Sequence, residues 1–143
     1  MMFCVNSNGT KVTIDILHRN CPDSDDYWDG NWLNANIKVS LPGYQASFNG
    51  DIRTDEVRAF LEGCKKMDQT LSGSVKFSSM EEIIELNGEI DRTGQIEWSG
   101  KTTYPVGTGA TLTFKFLSDQ SFLETLISEL ELIMSQFPVK GKP

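Results

Sequence analysis

The chain has 143 residues, enough for one domain that buries roughly two-thirds of its unfolded surface without disulfides or metal. Its 20 acidic side chains outnumber the 13 basic ones, giving a net charge of −7, while 38% hydrophobic and 23% charged residues lie in the ordinary soluble range. Such a surface repels phosphate backbones and anionic lipid heads, so direct nucleic-acid or membrane binding is not expected, and a basic protein is the partner its field would attract.

The opening, MMFCVNSNGTK, has neither a basic n-region nor a long apolar h-region, and no apolar run approaches the roughly eighteen residues of a membrane span. A cytoplasmic protein is expected. Cys4, Cys21 and Cys64 agree with that: they are odd in number, widely spaced and without a CxxC pair, as reduced thiols are.

Residues 11–17 alternate, with Val12, Ile14 and Ile16 on one side and Thr13 and Asp15 on the other, which predicts a half-buried strand. By parity His18 falls on the apolar side at the strand's end. The pattern then stops over Arg19–Asn31. It resumes with Leu33, Ala35, Ile37 and Val39, turns at Pro42-Gly43 and returns through Tyr44, Ala46, Phe48 and Ile52 as a hairpin. From Thr54 to about Leu71 the period becomes helical: Val57, Phe60, Leu61, Cys64, Met67 and Leu71 share a face, and Asp55 and Glu56 occupy the first turn, where the helix dipole favours them. Gly63 weakens this helix without breaking it.

Strand patterns follow at Val75 and Phe77; at Ile84, Leu86 and Ile90; at Ile96, Trp98 and Tyr104; and from Ala110 to Phe116. Asp119–Phe137 closes the chain as a helix about 27 Å long, with Phe122, Leu123, Leu126, Ile127, Leu130, Ile133, Met134 and Phe137 on its apolar face and Leu132 on its polar side. Ser118 or Asp119 can cap its start, and Pro138 ends it. Short links between neighbouring strands imply antiparallel pairing. The expected fold is α+β: an antiparallel sheet of about seven strands with two helices, in the order three strands, helix, four strands, helix, the long C-terminal helix lying on the sheet. A single domain over residues 1–143 is expected, with an ordered core over about 11–139.

Candidate chemistry is sparse. His18 is the lone histidine, and no GxSxG motif or cysteine in a nucleophile setting accompanies it. One histidine and scattered cysteines are too few for zinc. Glu81, Glu82, Glu85 and Glu89 read as a charged outer face rather than as paired acids for glycoside chemistry. No enzyme activity, cofactor or metal is expected.

The loop between residues 19 and 31 is the unusual feature. Asp23, Asp25, Asp26 and Asp29 crowd it, with Tyr27, Trp28 and Trp32 among or beside them, and aromatics in a polar rim are what protein-binding hot spots are made of. One or both tryptophans could instead fold back to plug the core. A non-catalytic small-ligand or calcium-binding module using the same loop is the alternative, although as an EF-hand beginning at Asp25 it has Tyr27 and Asn36 where ligands belong.

Asp26-Tyr27-Trp28-Asp29-Gly30-Asn31-Trp32-Leu33 resembles the signature opening of the WapI family of bacterial immunity proteins. Supporting likenesses lie in Arg53-Thr54-Asp55-Glu56 with Phe60 and Leu61, in Leu71–Phe77, in Leu112-Thr113-Phe114 through Asp119–Leu123, and in Phe137-Pro138-Val139. The resemblance spans about residues 11–139. It implies a cytoplasmic protein that binds and neutralises a cognate toxin domain at the carboxyl end of a contact-delivered, cell-wall-associated protein. In the family's namesake pair that toxin cleaves transfer RNA. An acidic blocker suits a nuclease that keeps a basic surface for its substrate. The partner-binding residues expected are Asp25, Asp26, Tyr27, Trp28, Asp29 and Trp32.

Overall fold

The computed structural model describes residues 1–143. Strands β1 (Met2–Asn6), β2 (Lys11–Arg19), β3 (Trp32–Leu41) and β4 (Tyr44–Arg53) form an antiparallel sheet in chain order, with the one-turn helix α1 (Tyr27–Gly30) between β2 and β3. Helix α2 (Thr54–Thr70) leads to a second antiparallel sheet of β5 (Ser74–Ser78), β6 (Ile84–Ile90), β7 (Gln95–Tyr104) and β8 (Ala110–Asp119). Helix α3 (Gln120–Gln136) closes the chain.

The α+β class and the long final helix are as expected. The single sheet of about seven strands is not: there are two sheets of four strands and three helices. Alternation marks which face of a strand is buried but not which sheet the strand joins. Strand β1 lacks a signal because only Phe3 and Val5 point inward over five residues. With it, both halves of the chain run four strands and then a long helix, and the packed residues begin at Phe3.

The halves exchange their helices. Helix α2, which follows the first sheet, packs along β5 of the second, while α3, which follows the second sheet, packs along β1 of the first; the two helices also pack on each other. The Glu129 carboxylate of α3 accepts the edge amide of Cys4 in β1 at 3.1 Å. A single core of 29 buried hydrophobic residues results, shared by both sheets and both long helices, so no seam divides the halves. At its centre Phe3, Phe60, Phe77 and Trp98 meet edge-on or tilted, with ring centroids 5.5–6.2 Å apart.

Local chemistry accounts for the element ends. Asp119 caps α3 by accepting from the Ser121 hydroxyl and amide, which hold its carboxyl below the usual range. Gly63 lets α2 approach β5: a Cβ there would stand 2.5 Å from the Val75 side chain. His18 does not sit on the apolar side. The β2–β3 register shifts between Ile16 and His18, so the bulge turns Leu17 and His18 outward, both exposed. No helix is long and apolar enough to cross a membrane.

Gly88 of β6 lies under Trp98, where a Cβ would meet ring atoms at 2.7–2.9 Å. The Gly88→Ala variant is expected to lose about 1–3 kcal/mol through overpacking, measurable by urea unfolding. An unchanged midpoint would mean that the indole does not rest on this glycine.

Candidate partner-binding site

The loop after β2 is built by its own polar groups. Asp26 caps α1, its carboxylate accepting the amides of Trp28 and Asp29 at 3.0 Å each. Asp26 is itself held by the Ser24 hydroxyl, which accepts its amide at 3.2 Å. Asn31 is fully buried and spends its whole amide. Its nitrogen donates to the Tyr27 and Lys140 carbonyls, and its oxygen accepts from the Thr54 hydroxyl and the Lys140 amide, all at 2.9 Å. One side chain therefore joins the loop, the start of α2 and the C-terminal tail.

Arg53, at the end of β4, is the second fastening and the larger one. It is 1% exposed. Its Nε lies 2.9 Å from an Asp55 oxygen, while Nη1 and Nη2 donate to the Trp28 and Tyr27 carbonyls at 2.9 and 2.8 Å. The rings of Tyr27, Trp28 and Trp32 surround the guanidinium, with its carbon 5.1, 5.5 and 5.0 Å from their centroids. The Tyr27 hydroxyl donates to the other Asp55 oxygen at 3.1 Å. Ion pair, carbonyls and π-faces together replace the water this charge has lost. Glu56 completes the corner by accepting the amides of Arg53 (2.8 Å) and Met80 (2.6 Å); burial raises its pKa, and those two amides oppose the rise.

The loop is also tied to the tail. Arg19 donates to the Gly30 carbonyl at 2.7 Å and to the Pro138 carbonyl, and it lies over the Phe137 ring. The Lys140 ammonium donates to the Pro22 and Ser24 carbonyls at 2.9 Å each.

The six expected residues thus fall into two groups. Tyr27 and Trp32 are half-buried on Arg53, and Asp26 is committed to its cap. Asp25 and Asp29 are exposed and form no ion pair within the chain, and Trp28 keeps 54% of its surface in solvent while its inner face meets Arg53. What faces outward is a tryptophan flanked by free carboxylates on a braced turn. No three His, Cys, Asp or Glu side chains converge on a common point, in this loop or elsewhere. Sequence reasoning assigned no role to Arg53, Asn31, Arg19 or Lys140. Arg53 and Asn31 carried a signal, since they stand in the Arg53-Thr54-Asp55-Glu56 and Asp26–Leu33 segments, while Arg19 and Lys140 carried none.

Replacing Arg53 by Lys removes the fork that reaches two carbonyls and a carboxylate at once. Arg53→Lys is expected to lower stability by about 2–4 kcal/mol and to redden tryptophan emission. A variant as stable as the parent would show the cage to be dispensable. The thiols form a second test. Burial pushes the Cys64 thiol up to about 12, whereas Cys21 is exposed. Iodoacetamide near pH 8 should label Cys21 in the folded protein and Cys64 only after unfolding. Because the folded thiol holds its proton above the ordinary range, its contribution to stability is present below about pH 9 and lost as pH rises toward 12. Rapid native labelling of Cys64 would contradict this packing.

A model of the Immunity protein WapI-like family matches residues 2–138. No curated protein sequence matches significantly. Among solved structures, a chain from a guide-RNA-binding protein complex bound to guide RNA superposes with a TM-score of 0.50 at 13% identity, covering 94% of this chain and 91% of that one. The plant transcriptional regulator PBF-2 gives 0.48 at 9% identity, over 96% and 81%. At such identities the first likeness is one of fold alone, and the second carries no weight.

Proposed function

The chain belongs to the Immunity protein WapI-like family, and from that premise we propose that it is a non-enzymatic immunity protein, acting as a single domain over residues 1–143 to bind and neutralise a cognate toxin domain. The observation that carries this reading is the outward face of the loop: Trp28, 54% exposed, beside the free carboxylates of Asp25 and Asp29 on a turn that Arg53 and Asn31 hold fixed. An aromatic anchor inside an acidic rim suits a partner with a basic surface, and a braced turn loses little freedom on docking. The net charge of −7 draws such a partner in from solution.

The toxin class that fits is a basic nuclease, of which a transfer-RNA-cleaving enzyme is the family's example. Such an enzyme gathers cationic side chains where the substrate's phosphates lie. A rigid acidic protein seated on or beside them removes the substrate's route in without doing chemistry of its own.

The direct test is co-expression with the carboxyl-terminal domain encoded by a neighbouring gene for a repeat-rich secreted protein, scoring growth. Rescue is expected. The sharper test uses Asp25→Lys with Asp29→Lys, leaving Asp26 in place because losing its cap would cost about 1 kcal/mol of stability. The double variant should bind at least about tenfold more weakly, with a smaller dependence on salt and an unchanged Tm. Full affinity in the double variant would move the interface off this loop.

A further inference from the structure

Each sheet has one edge beside a helix and one edge bare. Helix α3 packs along β1 and α2 along β5, which leaves β4 and β8 as the open edges. Those two edges border one cleft of about 390 Å³, at the opposite end of β4 from the acidic loop. Its walls are apolar and aromatic: Tyr44 is 65% exposed, and Tyr104, 51% exposed, stacks on Phe48 with ring centroids 4.8 Å apart. Residues 39–50 and 102–114, which form this end of the molecule, contain no Asp, Glu, Lys, Arg or His, in a chain that is 23% charged.

The β4 edge also offers backbone partners. The two-residue turn at Pro42-Gly43 makes Leu41 and Tyr44 a hydrogen-bonded pair, so by alternation Gln45, Ser47 and Asn49 turn their amides and carbonyls away from β3. None of the backbone hydrogen bonds outside the helices and sheets involves residues 44–49. Natural edge strands are usually blunted by charge, proline or a covering element, and this stretch has none of the three.

We propose that the cleft receives an extended, uncharged segment of the toxin domain, which adds as a strand to β4 at residues 45–49 and places an apolar side chain between Tyr44 and Tyr104. This rests on the immunity reading. A strand is the shape that satisfies a row of free amides and carbonyls, and an uncharged one is what walls without a charged group will desolvate. A second copy of the chain fits less well, because each copy carries a charge of −7. The acidic loop and the cleft lie at the two ends of the same ten-residue strand, roughly 30 Å apart, which is the breadth of one standard protein interface. One partner can therefore cover both.

The experiment measures the affinity of the same toxin domain, catalytically disabled, for the full-length chain and three variants. Ser47→Pro removes an edge amide that no ladder uses, and Tyr44→Ser strips the cleft of an exposed wall; Asp25→Lys with Asp29→Lys alters only the loop. The expected result is a loss of at least about tenfold for Ser47→Pro and for Tyr44→Ser, with native near-ultraviolet circular dichroism. If Ser47→Pro fails to fold, Tyr44→Ser decides alone. Full affinity in both cleft variants, with the loop variant weakened, would overturn the cleft proposal and leave the immunity reading standing. No binding by the parent chain would overturn both. A parent dimer in sedimentation that Ser47→Pro dissociates would make the occupant a second copy and overturn the proposal.

Discussion

A guanidinium with almost no access to water organises the corner that carries the acidic loop. Arg53 is at once the last residue of β4, the N-terminal flank of α2 and the centre of a cage made by Tyr27, Trp28 and Trp32. A buried charge is tolerated only while its partners stay in place, and loss of one costs several kcal/mol. The Tyr27 and Trp28 carbonyls are such partners, so the loop cannot swing away without stranding the charge. A loop with four aspartates would otherwise be a mobile, self-repelling segment. Here it is held in one shape, and the freedom that docking would remove is already gone.

The exchange of helices between the two halves has a second consequence. By packing α2 on the second sheet and α3 on the first, the chain joins both sheets in one core and covers one edge of each. The bare edges then fall together on the far side. Strand β4 links the two surfaces: Arg53 stands at its end beside the acidic turn, and Tyr44 stands at its start beside the uncharged cleft. The electrostatics divide along this strand, with free carboxylates at one end and no charge at the other. Such a division suits one partner that is drawn in by charge and fixed by apolar contact.

Much of this was legible in the residues. The period of α3, the Pro42-Gly43 hairpin and the α2 face from Val57 to Met67 follow from local physics, and the structure places them as expected, with Asp119 rather than Ser118 as the α3 cap. Leu71, expected on the α2 face, is instead the exposed left-handed residue that ends the helix. What could not be read is whatever depends on contacts between distant segments. Periodicity does not assign strands to sheets, five residues are too few to announce β1, and a one-residue bulge reversed the side expected for His18. The aromatic loop shows the same limit. Its composition marked the loop as unusual but not that Tyr27 and Trp32 are spent on an arginine more than twenty residues away. The segments carrying the family resemblance do meet in space: Tyr27, Trp28 and Trp32 enclose Arg53, and Arg19 clamps Gly30 to Phe137 and Pro138.

That this molecule acts by being docked upon, along β4 from the braced loop to the open cleft, is the claim on which everything else rests. Amide hydrogen exchange of the chain, alone and in complex with the toxin domain, tests it most directly. The account predicts new protection at Asp25–Asp29 and at Gln45–Asn49, with the amides of α3 unchanged. Protection confined to α3 or to the outer face of the second sheet, with these two stretches exchanging as in the free protein, would contradict it.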